Sequence, residues 1–125
     1  MNSETDLYLQ KADHAMLVAS ELFSAGHISD AASKIYYAMF YAAQALLKTE
    51  GIDVIKHSAV ESALGYYFAK PQRIDPALHK MLIKARKLRE IADYDIYEEI
   101  IEPVSTLTID EGKLFISEIK KFLNK

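Results

Sequence analysis

No cysteine occurs in the 125 residues, which excludes disulfides, a thiol nucleophile and every cysteine-ligated zinc or iron–sulfur centre. The four glycines are scattered, so there is neither a phosphate-cradling glycine loop nor a nucleophile elbow. No apolar run reaches the roughly 20 residues a membrane span needs; the longest is broken by Lys34 and Gln44. The N-terminus, Met1 to Asp6, is polar and acidic, unlike a signal peptide, and a cytoplasmic address with no membrane association is expected. The four histidines form no HExxH pair, and nothing implies a metal or cofactor. A formal charge of −3 gives no global drive toward nucleic acid, so any basic site must be local.

What the chain does have is helix-forming pattern. Half its residues are hydrophobic and 26% are charged, the balance of one globular domain over residues 1–125. Residues 31–47 contain one formal charge, Lys34, and apolar side chains around nearly the whole helical circumference. Such a helix belongs inside a bundle. Ala31, Ala38, Ala42 and Ala45 let neighbouring backbones approach, and Tyr36, Tyr37 and Tyr41 have hydroxyls that need partners if buried.

In chain order, a first helix is predicted from about Glu4 to Phe23, with Tyr8, Ala12, Ala15, Met16, Ala19, Leu22 and Phe23 inward and Gly26 as its stop. Ser29 and Asp30 read as N-caps of the central helix, which ends near Gly51. Ser58 and Glu61 read as a capping box opening a third helix to about Ala69, with Val60, Ala63, Leu64, Tyr67 and Phe68 inward. Asp75-Pro76 is an N-cap and N1 pair opening a fourth, which buries Leu78, Met81, Leu82, Ala85, Leu88 and Ala92. Residues 93–107 read as a long acidic loop or short turn. Thr108 and Glu111 form a second capping box before a helix burying Phe115, Ile119, Phe122 and Leu123. The expected fold is all-α: an antiparallel up-and-down bundle of four main helices plus one shorter helix.

Charge is bipartite near the fourth helix. Lys80, Lys84, Arg86, Lys87 and Arg89 occur without an intervening acid, then Asp93, Asp95, Glu98, Glu99 and Glu102 follow. One reading is a solvated helix face covered by the acidic loop; the other is a row of Lys80, Lys84 and Lys87 suited to phosphates or an acidic partner, with Arg86 and Arg89 offering fork-shaped donors. Tyr66-Tyr67-Phe68 is either core or a stacking surface, and the apolar central helix also suits a homodimer face. His57 reads as a surface or capping-region residue. Arg89 and Asp93, four apart, can form a local ion pair.

The run Ser33-Lys34-Ile35-Tyr36-Tyr37-Ala38-Met39-Phe40-Tyr41-Ala42-Ala43-Gln44-Ala45-Leu46-Leu47, with Gly51, Lys56-His57-Ser58 and Arg89-Glu90-Ile91-Ala92-Asp93-Tyr94, resembles the small stand-alone prokaryotic branch of the HEPN (higher eukaryotes and prokaryotes nucleotide-binding) domain, over roughly residues 5–124. The resemblance implies a helical bundle, commonly a homodimer, working with a separately encoded minimal nucleotidyltransferase in a two-component, toxin–antitoxin-like system. It also implies a relation to metal-independent ribonucleases that use an R-x4-6-H motif. Arg89 stands at the motif arginine, but Asp93 and Tyr94 follow it and no histidine does. RNA cleavage through the 2′-hydroxyl calls for a group titrating near neutrality. The departure therefore favours a nucleotide- or RNA-binding, regulatory module over a ribonuclease toxin or a purely structural interaction protein. Arg73 and His79 have the bare motif spacing, but a helix start divides them. The expected binding residues are Lys80, Lys84, Arg86, Lys87 and Arg89; the catalytic candidates are Arg89, Asp93 and Tyr94, and Tyr94 is the candidate for nucleotidyl modification.

Overall fold

The computed structural model describes residues 3–94 and 106–124. Its elements are α1 (Ser3–Ser24), α2 (Ile28–Thr49), α3 (His57–Leu64) continued by a π-helical turn (Gly65–Ala69), α4 (Pro76–Tyr94) and α5 (Thr106–Phe122). No strand occurs among the described residues. The all-α bundle expected from the periodicity is the fold observed.

α2 is its axis, touching each of the other α-helices. Ala31, Ala38, Ala42, Ala43 and Ala45 are fully buried, and Ile35, Tyr36, Met39, Leu46 and Leu47 are at most 1% exposed. Small side chains on every side of one helix allow four neighbours to pack against it without prising it apart. α1 runs antiparallel to α2: Thr5 near the start of α1 shares a 3.2 Å hydroxyl bond with Thr49 at the end of α2, and Lys48 meets Glu4 at 3.2 Å. α1 turns Thr5 and Leu9 into the core as well as the alanines expected there, whereas Tyr8 is only half-buried. α5 packs tightly at Gly112, where an added Cβ would lie 2.6 Å from Met16 Cε and 3.2 Å from Ile35 Cγ2.

Several ends differ from the sequence expectation. α2 starts at Ile28 with His27 in the cap position, so Ser29 and Asp30 belong to its first turn. Neither Ser58 nor Thr108 opens its helix as expected. α3 begins at His57, and Glu61 is drawn instead to Arg86 Nε at 2.7 Å; α5 begins at Thr106, and Glu111 accepts from Lys84 Nζ at 2.7 Å. In both cases the carboxylate is held by a cation on another helix, which adds the attraction of a full positive charge to the hydrogen bond. Asp75, in contrast, caps α4 as expected, its carboxylate accepting from the Ala77 amide at 2.9 Å.

The π turn takes an extra residue, so Phe68 and Ala69 come to the core side and Tyr67 swings out to 44% exposure. Phe122 is also 40% exposed, though its ring meets Phe68 edge-on at 5.7 Å. α4 continues through Asp93 to Tyr94, where a loop was expected to begin; the rest of that acidic stretch, with Asp95, Glu98, Glu99 and Glu102, lies outside the described residues.

Three helix ends close with the same pair of bonds. His27 N–H reaches Leu22 O and Gly26 N–H reaches Phe23 O; the pattern repeats at Ile52/Leu47 with Gly51/Lys48, and at Arg73/Phe68 with Gln72/Ala69. This double bond places the penultimate residue in the left-handed region, where glycine is usual. Gly26 (φ 87°) and Gly51 (φ 72°) satisfy that demand, but the third position is Gln72 at φ 59°. Gln72→Gly should therefore raise the unfolding free energy by up to about 1 kcal/mol, read as an increased urea midpoint at unchanged slope.

Candidate functional site: an arginine on a tyrosine ledge

Ser33, Tyr36 and Tyr37 recur at helical spacing and give the otherwise apolar α2 one polar stripe. α4 lays Arg89 and Asp93, also four apart, across it. Arg89 Nη1 donates to the Tyr37 hydroxyl at 3.0 Å and lies 3.7 Å from Asp93 Oδ2, while the Ser33 hydroxyl donates to Asp93 Oδ1 at 2.5 Å. The guanidinium carbon sits 5.3 Å from the Tyr36 ring centre and 5.7 Å from that of Tyr37, within cation–π range. With a side chain only 12% exposed, Arg89 has little rotamer freedom left to lose on meeting an anion.

α3 adds His57 from its first position. The imidazole lies 5.5 Å from Tyr36, 5.8 Å from Tyr37 and 4.4 Å from Phe40, centre to centre. His57 and Arg89 thus flank the same two tyrosine rings. Burial, and then the positive charge of Arg89, hold the imidazole below its ordinary value, so it is neutral near pH 7 and able to take up a proton. Burial pushes the Tyr36 phenol up to about 12, which keeps it protonated. Beside this group Arg86 donates to Glu61 at 2.7 Å and to Glu90 at 3.0 Å, fastening α4 to α3.

The five cations do not form one patch. Lys80 and Arg89 are two and a half turns apart and project from opposite sides of α4. Arg86 and Arg89 turn toward α3 and α2, whereas Lys80, Lys84 and Lys87 share the outer face, Lys84 reaching α5 through Glu111. Arg73 and His79 are likewise used apart: Arg73 grips the Glu50 carboxylate, and His79 Nε2 is 2.9 Å from the Glu61 carbonyl. The backbone of Tyr94 closes α4 next to Asp93; its side chain lies outside the described residues. Among the described residues no three histidine or carboxylate side chains converge as metal ligands, and no helix is long and apolar enough to cross a membrane.

The residues missed by sequence reasoning are Ser33, Tyr37 and His57. A polar stripe at i, i+3 and i+4 in an apolar helix was the available signal for the first two; for His57 it was the Lys56-His57-Ser58 element of the family resemblance, which assigned it no role.

Titration of His57 has a consequence for stability. Because the folded chain disfavours the imidazolium, the unfolded chain binds the proton at a higher pH than the folded one. The stability contribution is complete above about pH 6.5 and is lost as pH falls through the lower folded value. Urea midpoints should fall from pH 7 toward pH 5, and His57→Gln should flatten that part of the curve.

Comparison with known proteins agrees with this architecture. Residues 5–125 match the HEPN domain family. Two proteins of Methanocaldococcus jannaschii, each named "Putative toxin", are 32% and 30% identical over 120 and 125 residues, covering 96% and 100% of this chain and 82% and 92% of theirs. A UPF0332 protein of Archaeoglobus fulgidus is 30% identical over 122 residues, 98% of this chain and 97% of its own. With the helical bundle in place and the match running from α1 to the C-terminus, the chain belongs to the HEPN domain family.

Proposed function

We propose that the protein is the HEPN component of a toxin–antitoxin-like pair, a homodimeric binding and regulatory module that acts with a minimal nucleotidyltransferase and presents Arg89, Asp93 and Tyr94 to a nucleotide or RNA. The observation that carries this reading is the held guanidinium: Arg89, five residues before Tyr94, is fixed by Tyr37 and by Asp93 in the last turn of α4. A phosphate arriving there would take the place of the Asp93 carboxylate, exchanging one charge-assisted bond for another. The names of the two archaeal relatives support the toxin–antitoxin part. Nucleotidyl transfer to the Tyr94 hydroxyl would release pyrophosphate from a nucleoside triphosphate and leave a phosphodiester anion on the last residue of α4.

Affinity purification from the native host, with mass spectrometry of the co-purified proteins and of Tyr94, tests it. Recovery of a small nucleotidyltransferase supports the pairing, and a nucleotide mass on Tyr94 supports the modification. An unmodified homodimer alone contradicts both.

The second reading, a metal-independent ribonuclease, is favoured by His57. A neutral imidazole against the same tyrosine rings as a guanidinium can take the proton of the RNA 2′-hydroxyl and return it to the departing 5′ oxygen while Arg89 offsets charge on the phosphoryl oxygens, giving a 2′,3′-cyclic phosphate and a 5′-hydroxyl. Cleavage of RNA in the presence of a chelator, lost in His57→Gln, would establish this reading; no cleavage by the folded dimer would remove it.

A further inference from the structure

On the far side of α4 from Arg89, the π turn and the first turns of α4 border an open groove of about 680 Å3. Its lining includes Tyr66, Lys70, Gln72, Pro76, His79 and Lys80 and no aspartate or glutamate, although acids outnumber bases 18 to 15 along the chain. Glu61, the carboxylate nearest in sequence on α3, is occupied by Arg86. Tyr66 is 64% exposed yet braced, its ring meeting Tyr67 edge-to-face at 4.8 Å and 83°. A large aromatic ring held in place and left in solvent beside two lysines has the composition of a stacking platform with phosphate contacts.

Gln72 adds a second, independent observation. It occupies the left-handed position that glycine fills at the two equivalent helix ends, at φ 59°. Local backbone energetics favour glycine there, so the side chain is kept against a conformational cost, as is common where the side chain has work to do. A carboxamide beside an aromatic platform can both donate to and accept from the edge of a base.

We infer that this groove binds single-stranded RNA, with one base stacked on Tyr66, its edge met by the Gln72 amide, and the flanking phosphates on Lys70 and Lys80. The open shape suits a strand passing through rather than a free nucleotide enclosed on all sides. Lys87, two turns beyond Lys80 on the same face of α4, continues the cationic path. The site is separate from the Arg89 ledge and does not depend on what that ledge binds.

Fluorescence anisotropy of the full chain with labelled oligouridylate and oligoadenylate of roughly 12 nucleotides, long enough to cross one such platform, tests the assignment. Tyr66→Ala should weaken binding by about tenfold or more, while Tyr66→Phe, which keeps the ring, should retain it. The Lys70→Ala, Lys80→Ala double variant should make the log–log salt slope shallower by about 1.4, two single-strand phosphate contacts. Gln72→Gly should raise thermal stability and weaken RNA binding together, a divergence that a purely structural glutamine would not produce. No binding at micromolar protein in low salt, or binding unchanged in Tyr66→Ala, overturns the inference. So does displacement of the strand by a mononucleotide at equal affinity. Arg89→Ala serves as the separating arm: binding lost there but kept in Tyr66→Ala places the RNA on the ledge, whereas the reverse leaves the groove standing even if the ledge binds nothing.

Discussion

Phe68→Ala is expected to lower the unfolding free energy by about 3–5 kcal/mol, the largest effect of any single truncation considered for this chain. Phe68 is fully buried at the π turn, where its ring meets Phe122 edge-on at 5.7 Å and lies under the Arg73 guanidinium at 4.5 Å. It therefore connects the end of the third helical segment to α5 and to the link before α4. Its backbone carbonyl also accepts the bond that closes the helix end, from Arg73 N–H at 2.8 Å. Truncation loses the transfer energy of the ring and leaves a cavity that a close-packed bundle can collapse only in part. Arg73 would keep Glu50 and the Phe122 ring at 5.6 Å but lose the nearer aromatic face. A domain of this size has about 5–15 kcal/mol in total, so the loss is a large fraction of it. Phe122→Ala, at a residue already 40% exposed, should cost clearly less. Urea denaturation checks both; a Phe68→Ala loss below about 1 kcal/mol would contradict the anchoring role, since even modest core truncations exceed that.

Arg89→Ala is expected to abolish function at the ledge. If the ledge cleaves RNA, loss of a guanidinium aimed at developing charge should lower the rate by about a hundredfold or more; if it only binds, nucleotide or RNA affinity at that site should fall by about tenfold or more. The same change should cost about 1–3 kcal/mol of stability, because Tyr37 loses its donor and Asp93 keeps Ser33 alone. Arg89→Lys separates charge from shape: it retains the positive charge but cannot present a planar fork, so stability should recover further than activity. Tyr37→Phe removes one hydroxyl and leaves the ring beneath the guanidinium. It should cost about 1 kcal/mol, and if function survives, the Tyr37 bond serves to position Arg89 rather than to contact substrate. Unchanged binding and cleavage in Arg89→Ala would remove the ledge from the functional account.

The groups that these two predictions rest on were not equally legible. α2 could be read directly, because apolar residues around a whole circumference leave no solvated face and so demand neighbours on every side. The start of α4 was legible for a similar reason: Asp75-Pro76 acts on amides within two residues of itself. The two capping boxes were misread because their glutamates have cationic partners on other helices, Arg86 and Lys84, and no local window contains those partners. Tyr67 was placed inward on an α-helical period that the π turn interrupts.

At the ledge, Arg89 and Asp93 were visible as a pair on one helix. What they do was not, since the Tyr37 hydroxyl is 52 residues away along the chain and Ser33 is 60 residues from Asp93. Lys80, Lys84 and Lys87 were legible as one row from their spacing, but the five cations were still grouped as one binding set, whereas helical rotation sends Arg86 and Arg89 toward the bundle. The sequence by itself determined the class of fold, the central position of α2 and the helix ends governed by short-range bonds, because each of these depends on residues within a turn or two of one another. Only the tertiary structure decided which side chains meet at Arg89, that His57 joins them, and that a groove free of carboxylates lies on the opposite face. Those outcomes follow from the rotation of each helix about its axis and the angle at which neighbours cross, which are set by packing of the whole core.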